Sequence, residues 1–472
     1  MHLRSRSSLL LLVLLLSASA LWSATWSTGS PTTTNNDDSC DIGIAPAATL
    51  LLPFFEVDVI GNPEQARNTV FSVVNVSPYP QIARVTLWTD WAYPVFTFNL
   101  FLTGYDVESV DIRDLVVRGM VPTKVGWPGS MSLPKTSNTN HATTAIEDCG
   151  KRMPHIPVAA LADLRAILTT GKPIRSVLSC PSSAGGEAQV GGNHGDKIAA
   201  GYITIDVVAT CGPTMPTSPD YYTSEILFDN VLTGDYVVIE PSGSTNGYAG
   251  GSPLVHIRAV PEGGSAGSIV PTRLPYTFYD RYTPSSANIP RTIDRRQPLP
   301  SSFAARWISG TNAAFETTYL IWREGTIGGT AACDDYVVNS ALPIAELVRF
   351  DEHENATTSG AISAALPSAS RPGVRDVVFP SVSTGDAGGW MFMNLSNGGS
   401  QRYSATRAGL GKGLIRGNAY PRSVSQNWVV VNLFAEDRYG VSFDAPWLGN
   451  GCSPAMPKTD RGRIAPTANG NP

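Results

Sequence analysis

Followed by its alternation of apolar and polar positions, the chain is a succession of short strands. The runs TVFSVVNV (69–76), QIARVTLW (81–88), VFTFNLFL (95–102), YITIDVVA (202–209), YVVIE (236–240), LVHIRAV (254–260), TYLIW (318–322), WMFMNL (390–395) and NWVVVNLF (427–434) are rich in β-branched and aromatic residues. Gly, Pro, Asn or Ser bounds them, the pattern of strands joined by turns. One segment has the other period. In PVAALADLRAIL (157–168) Leu161, Leu164 and Leu168 recur at helical spacing, Asp163 lies in an early turn and Gly171 supplies a stop. The spacing predicts one amphipathic helix, set in an insertion over about 145–195.

The strand pattern also carries a faint repeat. Phe71, Trp88 and the block IRDLV (112–116) recur at similar spacing as Phe303, Trp322 and IAELV (344–348), and GYITID (201–206) answers to GWMFMN (389–394). The repeat predicts a mainly β chain of two antiparallel β-sandwich-like domains related by internal duplication, 46–273 and 301–457, with the one short helix inserted in the first. Between them lies LPYTFYDRYTPSSANIPRTIDRRQPLP (274–300), too aromatic for a flexible linker and expected to lie along the interface of the two halves.

The ends of the chain say where it works. Arg4 and Arg6, an unbroken apolar run over 9–16 and Ala18-Ser19-Ala20 read as a secretory signal peptide over 1–20. Residues 21–45, rich in Ser, Thr, Asn and Asp, read as a disordered spacer, and 458–472 as a disordered tail. No apolar run reaches the ~18 residues of a membrane-spanning helix, so the expected place is secreted or periplasmic, in the cell envelope or beyond. The six cysteines lie past the signal, widely spaced and without a C-x-x-C pair. In an exported chain that spacing points to disulfides rather than zinc. Many pairings are open to six cysteines; those expected are Cys149–Cys180, Cys333–Cys452 and Cys40–Cys211. With 39 Asp and Glu against 34 Lys and Arg, a net charge of −5, the chain lacks the basic surface that nucleic acid binding requires.

Candidate chemistry is sparse. GGSAG (263–267) fits G-x-S-x-G, but prolines flank it and no helical pattern follows, as a nucleophile elbow would need. GGNHGD (191–196) holds residues able to wrap a cation, without the spaced oxygen ligands of a calcium loop. The clusters WTDWAY (88–93) and YTFYDRY (276–282) offer rings for stacking on sugars. In the first, Trp88 closes a strand and reads as core, while Trp91 and Tyr93 beyond it are the binding candidates. RFDEHEN (349–355) gathers three carboxylates round a histidine. Were the strand to run on, Asp351 and His353 would share a face as candidate metal ligands, with Glu352 and Glu354 opposite. The plainer reading is a solvated loop tip.

ATLLLPFFEVD (48–58), WTDWAYP (88–94), LTGYD (102–106), GYITIDVV (201–208) and DRRQPLP (294–300) resemble a group of exported bacterial proteins that carry no assigned activity, over most of the mature chain. That resemblance implies export from a bacterium and supplies no catalytic or binding residue. The leading expectation is a secreted, non-catalytic cell-envelope or extracellular binding protein for a glycan, surface or protein ligand, with no cofactor indicated. The competing one is a secreted hydrolase, glycan-directed or metal-assisted, built on Asp351, Glu352, Glu354 and His353. A concave site at His353 would favour the hydrolase, and flat exposure of the acids would count against it.

Overall fold

The computed structural model describes residues 45–122, 131–132, 145–146, 156–174, 189–211, 214–216, 221, 225–240 and 248–259 of the first half. In the rest it describes 296, 299–300, 302–309, 315–324, 342–343, 346–354, 356–358, 369–370, 373–379, 387–395, 426–435 and 439–446. The first half holds β1 (Thr49–Asp58), β2 (Asn68–Asn75), β3 (Gln81–Thr89), β4 (Pro94–Leu102), β5 (Val107–Asp111), β6 (Met131–Ser132) and β7 (Ala145–Ile146). Helix α1 (Val158–Thr170) follows, then β8 (Ile198–Val208), β9 (Leu232–Glu240), β10 (Tyr248–Pro253) and β11 (Val255–Ile257). The second half holds β12 (Ser302–Ile308), β13 (Phe315–Glu324), β14 (Leu342–Pro343), β15 (Glu346–Asp351) and β16 (Ala356–Thr358). It ends with β17 (Ala369–Ser370), β18 (Gly373–Phe379), β19 (Gly388–Asn394), β20 (Gln426–Ala435) and β21 (Tyr439–Asp444).

These strands form four larger antiparallel sheets. Sheet I has the order β10-β9-β2-β5, sheet II β11-β1-β8-β3-β4, sheet III β12-β19-β15-β16 and sheet IV β18-β13-β20-β21. The fold is mainly β, as the alternation predicts, and the helix lies where its spacing put it. Its buried residues include Leu161, Leu164 and Leu168, and Gly171 ends it in the left-handed conformation at φ 73°. A side chain there is excluded twice over, because a Cβ on Gly171 would lie 2.0 Å from the Gly191 carbonyl oxygen.

Sheet II organises the molecule. In β1, β3 and β8 nearly every residue is buried, on both faces. Leu50, Leu52, Val85, Leu87, Ile203 and Ile205 join a core with sheet I. Their neighbours Leu51, Ile82, Trp88 and Tyr202 join a second core with Trp307, Trp322 and Trp428 of the second half. Trp88 stacks on Tyr202 at 5.6 Å, and Tyr202 meets Trp322 edge-on at 5.7 Å. One continuous core therefore runs across both halves of the chain.

The strand order does not reproduce the repeat. β8, with Tyr202, lies beside the Trp88 strand β3 in sheet II. β19, its expected counterpart, pairs with β12 in sheet III, while the Trp322 strand β13 lies in sheet IV. The matched blocks in β2, β3 and β8 and in β12, β13 and β19 are alike as strands and differ in their neighbours, whereas IRDLV (112–116) is a second short helical turn and residues 346–348 of its counterpart belong to β15. Of residues 274–300, Arg296 and Leu299 are fully buried, and Leu299 belongs to the shared core. The signal, the tail, GGSAG and YTFYDRY lie outside the described residues. So do all the cysteines except Cys211, which rests half-buried against the shared core. Among the described residues no helix is long and apolar enough to cross a membrane.

Candidate functional site

Of RFDEHEN, Arg349, Phe350 and Asp351 end β15 and residues 352–354 turn away toward β16; Asn355 lies outside the described residues. β15 ends at Asp351, whose Oδ1 accepts the His353 N–H at 2.8 Å while its carbonyl accepts the Glu354 N–H at 3.1 Å. Glu354 takes a positive φ of 64°, and Glu352, His353 and Glu354 are all exposed. Asp351 is thus an Asx cap of a turn. The expected Asp351/His353 pair on one strand face does not form, because period-two geometry stops where the strand does. Among the described residues no group of three or more His, Cys, Asp and Glu side chains is arranged to hold a metal ion.

Beside this turn the outward face of sheet III carries an aromatic pair. Phe350 and Trp390 are register partners, with ring centroids 3.9 Å apart and planes 7° apart. Trp390 is in turn directly opposite Arg306 on β12, and Arg306 is exposed. Glu352 reaches back over the same face: a Cβ on Gly388, two residues before Trp390, would stand 3.2 Å from Glu352 Oε1.

WTDWAY and GGNHGD, about a hundred residues apart in sequence, meet. Asp90 Oδ1 accepts the Gly192 N–H at 2.8 Å, and Asp90 Oδ2 lies 3.2 Å from His194 Nε2. Thr89 Oγ1 donates to the Val190 carbonyl at 2.7 Å, and the Val190 and His194 N–H groups donate to Gly171 and Thr169 at the end of α1. The glycine loop is clamped on three sides. Trp91 and Tyr93 are half-buried in this junction, in the turn between β3 and β4, and so are less open than free stacking platforms.

At the other end of β3 and β4 two loops present tyrosines. Tyr79 is 55% and Tyr105 71% exposed, with Val76 and Val107 exposed beside them in sequence. Buried Asn75 locks the loops together. Its Nδ2 donates to the carbonyls of Tyr79 at 2.7 Å and Thr103 at 2.8 Å, and its Oδ1 accepts from the Ser77 N–H and hydroxyl. The Tyr105 N–H donates to the Ser77 carbonyl at 2.9 Å. A Cβ on Gly104 would fall 2.2 Å from the Pro78 oxygen, so only glycine permits the approach. Tyr105 holds a positive φ of 56°, a strained conformation for a bulky residue.

A charged cluster is sealed where sheet II faces the rest of the chain. Asp206 accepts from Thr49 and from the Tyr221 hydroxyl at 2.6 Å, and lies 3.4 Å from Arg296 Nε. Arg84 pairs with Glu225 and donates to the Thr210 and Thr214 carbonyls. Burial first, and then the Asp206 charge, push the Tyr221 phenol well above its ordinary range, so it donates as a neutral hydroxyl. Two cations meet two anions with every charged head directed at a partner, which is the arrangement a structural cluster needs.

The sequence reading missed Tyr79, Tyr105 and the setting of Trp390. A signal was available for the tyrosines: SPYP (77–80) and TGYD (103–106) each place one aromatic among turn formers, where no strand face can bury it. Nothing in the sequence pairs Arg306 with Trp390, since the pairing depends on register between strands eighty residues apart. Comparison with protein-family models, with curated proteins and with solved structures returned no match in any of the three.

Proposed function

We propose that this is a secreted, non-catalytic binding protein of the cell envelope or extracellular space that holds a polysaccharide surface through exposed aromatic rings. The observation that carries the reading is the Tyr79/Tyr105 platform. Two tyrosines stand in solvent on loops that a fully bonded buried Asn75 fixes to one another, and neither ring nor hydroxyl has a partner among the described residues. Holding Tyr105 at positive φ costs on the order of 1 kcal/mol. A pre-ordered platform offsets that by sparing the ligand the cost of ordering loops. Rings rimmed by Ser77, Thr103 and Asp106, and by no Lys or Arg of these loops, suit the C–H faces and hydroxyls of a glycan better than an anionic bilayer.

The hydrolase reading has less behind it, because Glu352 and Glu354 stand in solvent at the turn and half-buried Asp351 is engaged as its cap. Retention of the mature protein on insoluble polysaccharides (cellulose, chitin, peptidoglycan) tests the proposal. Y79A/Y105A should lower retention about tenfold or more while leaving the unfolding midpoint within error, since both side chains are exposed. Equal retention of parent and variant on every matrix would end the reading. Release of sugar that requires Glu352 or Glu354 would put the hydrolase in its place.

A further inference from the structure

We infer that the outward face of sheet III carries a second, chemically distinct site, a subsite for one neutral sugar ring, centred on Trp390 between Arg306 and Glu352. The inference rests on the glycan reading for its ligand class but on separate residues in the other half of the chain. Three observations support it.

The first is the placement of the indole. Phe350 covers one face of Trp390 at 3.9 Å with nearly parallel planes. The opposite face is therefore turned along the sheet toward β12, where the register partner is Arg306. Phe392 and Val348, one row along the same face, are buried, so the open part of the face is the row of Trp390 and Arg306. A ring packed over Trp390 would rest on apolar surface and meet polar groups at its edge, which is how concave and half-concave ligand sites are composed.

The second is the state of the charged groups. Neither the Arg306 guanidinium nor the Glu352 carboxylate takes a hydrogen bond or ion pair among the described residues, although both reach the same face. Gly388 leaves the space over which Glu352 lies, and any side chain there would crowd its Oε1 at 3.2 Å. A free cluster of donors and a free acceptor on two sides of an indole match vicinal hydroxyls, which donate to a carboxylate and accept from a guanidinium.

The third is charge. Asp351, Glu352 and Glu354 crowd the turn side while Arg306 stands on the other. An anionic sugar would be repelled from the three carboxylates, so the field counts against a charged acidic ring, and the unpaired donor and acceptor on either side suit the hydroxyls of an uncharged one. On this reading RFDEHEN supplies one ligand-facing side chain, Glu352, and three residues that shape the turn carrying it.

Calorimetric titration of neutral cello-, xylo-, manno- and chito-oligosaccharides into the mature protein tests the subsite, with oligogalacturonate as the charged comparison. The expected result is one-site binding of a neutral oligosaccharide, weakened about tenfold by R306A and by E352Q, the loss of one charged hydrogen bond in each case. Both residues are exposed, so these variants fold, and W390A with a circular dichroism check adds a third reading. The inference is overturned if no neutral oligosaccharide binds, if R306A and E352Q bind as the parent does, or if oligogalacturonate binds more tightly than every neutral ligand. Lost retention on insoluble polysaccharide in Y79A/Y105A, with R306A and E352Q titrating like the parent, would sink the subsite and leave the platform standing. The reverse pattern would sink the platform and keep the subsite.

Discussion

Arg296 offers the sharpest test of how the segment between the two halves is held to the first. It is fully buried, donates to Thr49 and to the Leu227 carbonyl at 3.0 Å, and faces Asp206 at 3.4 Å. At that separation and an effective dielectric of ~20 the pair attracts by about 5 kcal/mol. Removing one partner of a buried pair costs about 3–5 kcal/mol, because the other charge is left buried without a counter-ion. Arg296→Met should therefore destabilise by about that amount, and so should Asp206→Asn, which strands the cation. The double variant removes both charges, so its loss should fall short of the sum by at least about 2 kcal/mol. Urea unfolding followed by far-ultraviolet dichroism and by tryptophan fluorescence measures all three. The shared core contains Trp88 of one half and Trp307, Trp322 and Trp428 of the other, so the two probes should report coincident transitions in the parent. Additive losses, or an Arg296→Met loss below about 1 kcal/mol, would refute the reasoning.

Asp444 joins β10 to β21: its carboxylate accepts the Trp428 indole N–H and the Ser252 hydroxyl, each at 2.9 Å. Burial raises its pKa above the ordinary carboxylate value, with both hydrogen bonds opposing. Its favourable contribution is complete below the unfolded-state pKa and is lost as pH rises through the raised folded-state value. Asp444→Asn should then match or exceed the parent in melting temperature at pH 7, and the difference should shrink toward pH 3.5; a variant less stable at pH 7 would contradict this. Asn75→Ala removes four hydrogen bonds and takes the amide donor from the part-buried Thr103 carbonyl and from the Tyr79 carbonyl, which keeps the Ser77 hydroxyl, so a loss of about 2–3 kcal/mol is expected. Hydrogen exchange should show the lost protection concentrated in 76–80 and 103–106. Gly389→Ala would set a Cβ 2.0 Å from the Phe350 carbonyl oxygen and 2.9 Å from the Trp307 ring, between β19 and β15. It should lower the denaturation midpoint by more than Gly195→Ala, where a Cβ meets open space although φ is 76°. Peptide mapping without reduction should recover Cys211 linked to Cys40.

Element type was legible from the sequence where one face of a strand is buried or a helix shows its period. β2 reads as an alternation and is one, buried at every second residue; α1 reads as Leu161, Leu164 and Leu168 and buries all three. Turn chemistry was equally local, and Gly171 ends the helix as its sequence says. β1 escaped the reading for a physical reason. It is covered on both faces, so TLLLPFFEVD has no alternation, and Pro53 sits where the register against β8 shifts between Leu52 and Phe55.

The sequence by itself determined that the chain is β-rich and where many of its strands and its helix lie, since propensity, period and turn residues act over a few neighbours. Export and disulfides it left as expectations. Only the tertiary structure decided that the halves share one core, that the repeat-matched strands have different neighbours, and that the strand ends at Asp351, so that residues 352–354 form a turn rather than a strand face. It also brought Asp90 to His194 and Thr49 to Arg296, partners 104 and 247 positions apart. Such meetings depend on strand register and on which sheet covers which, and a one-residue change of register turns every side chain of a strand to the other face. No local pattern carries that information, so the setting of Trp390 between Phe350 and Arg306, which is built from register, was a part the sequence could not disclose.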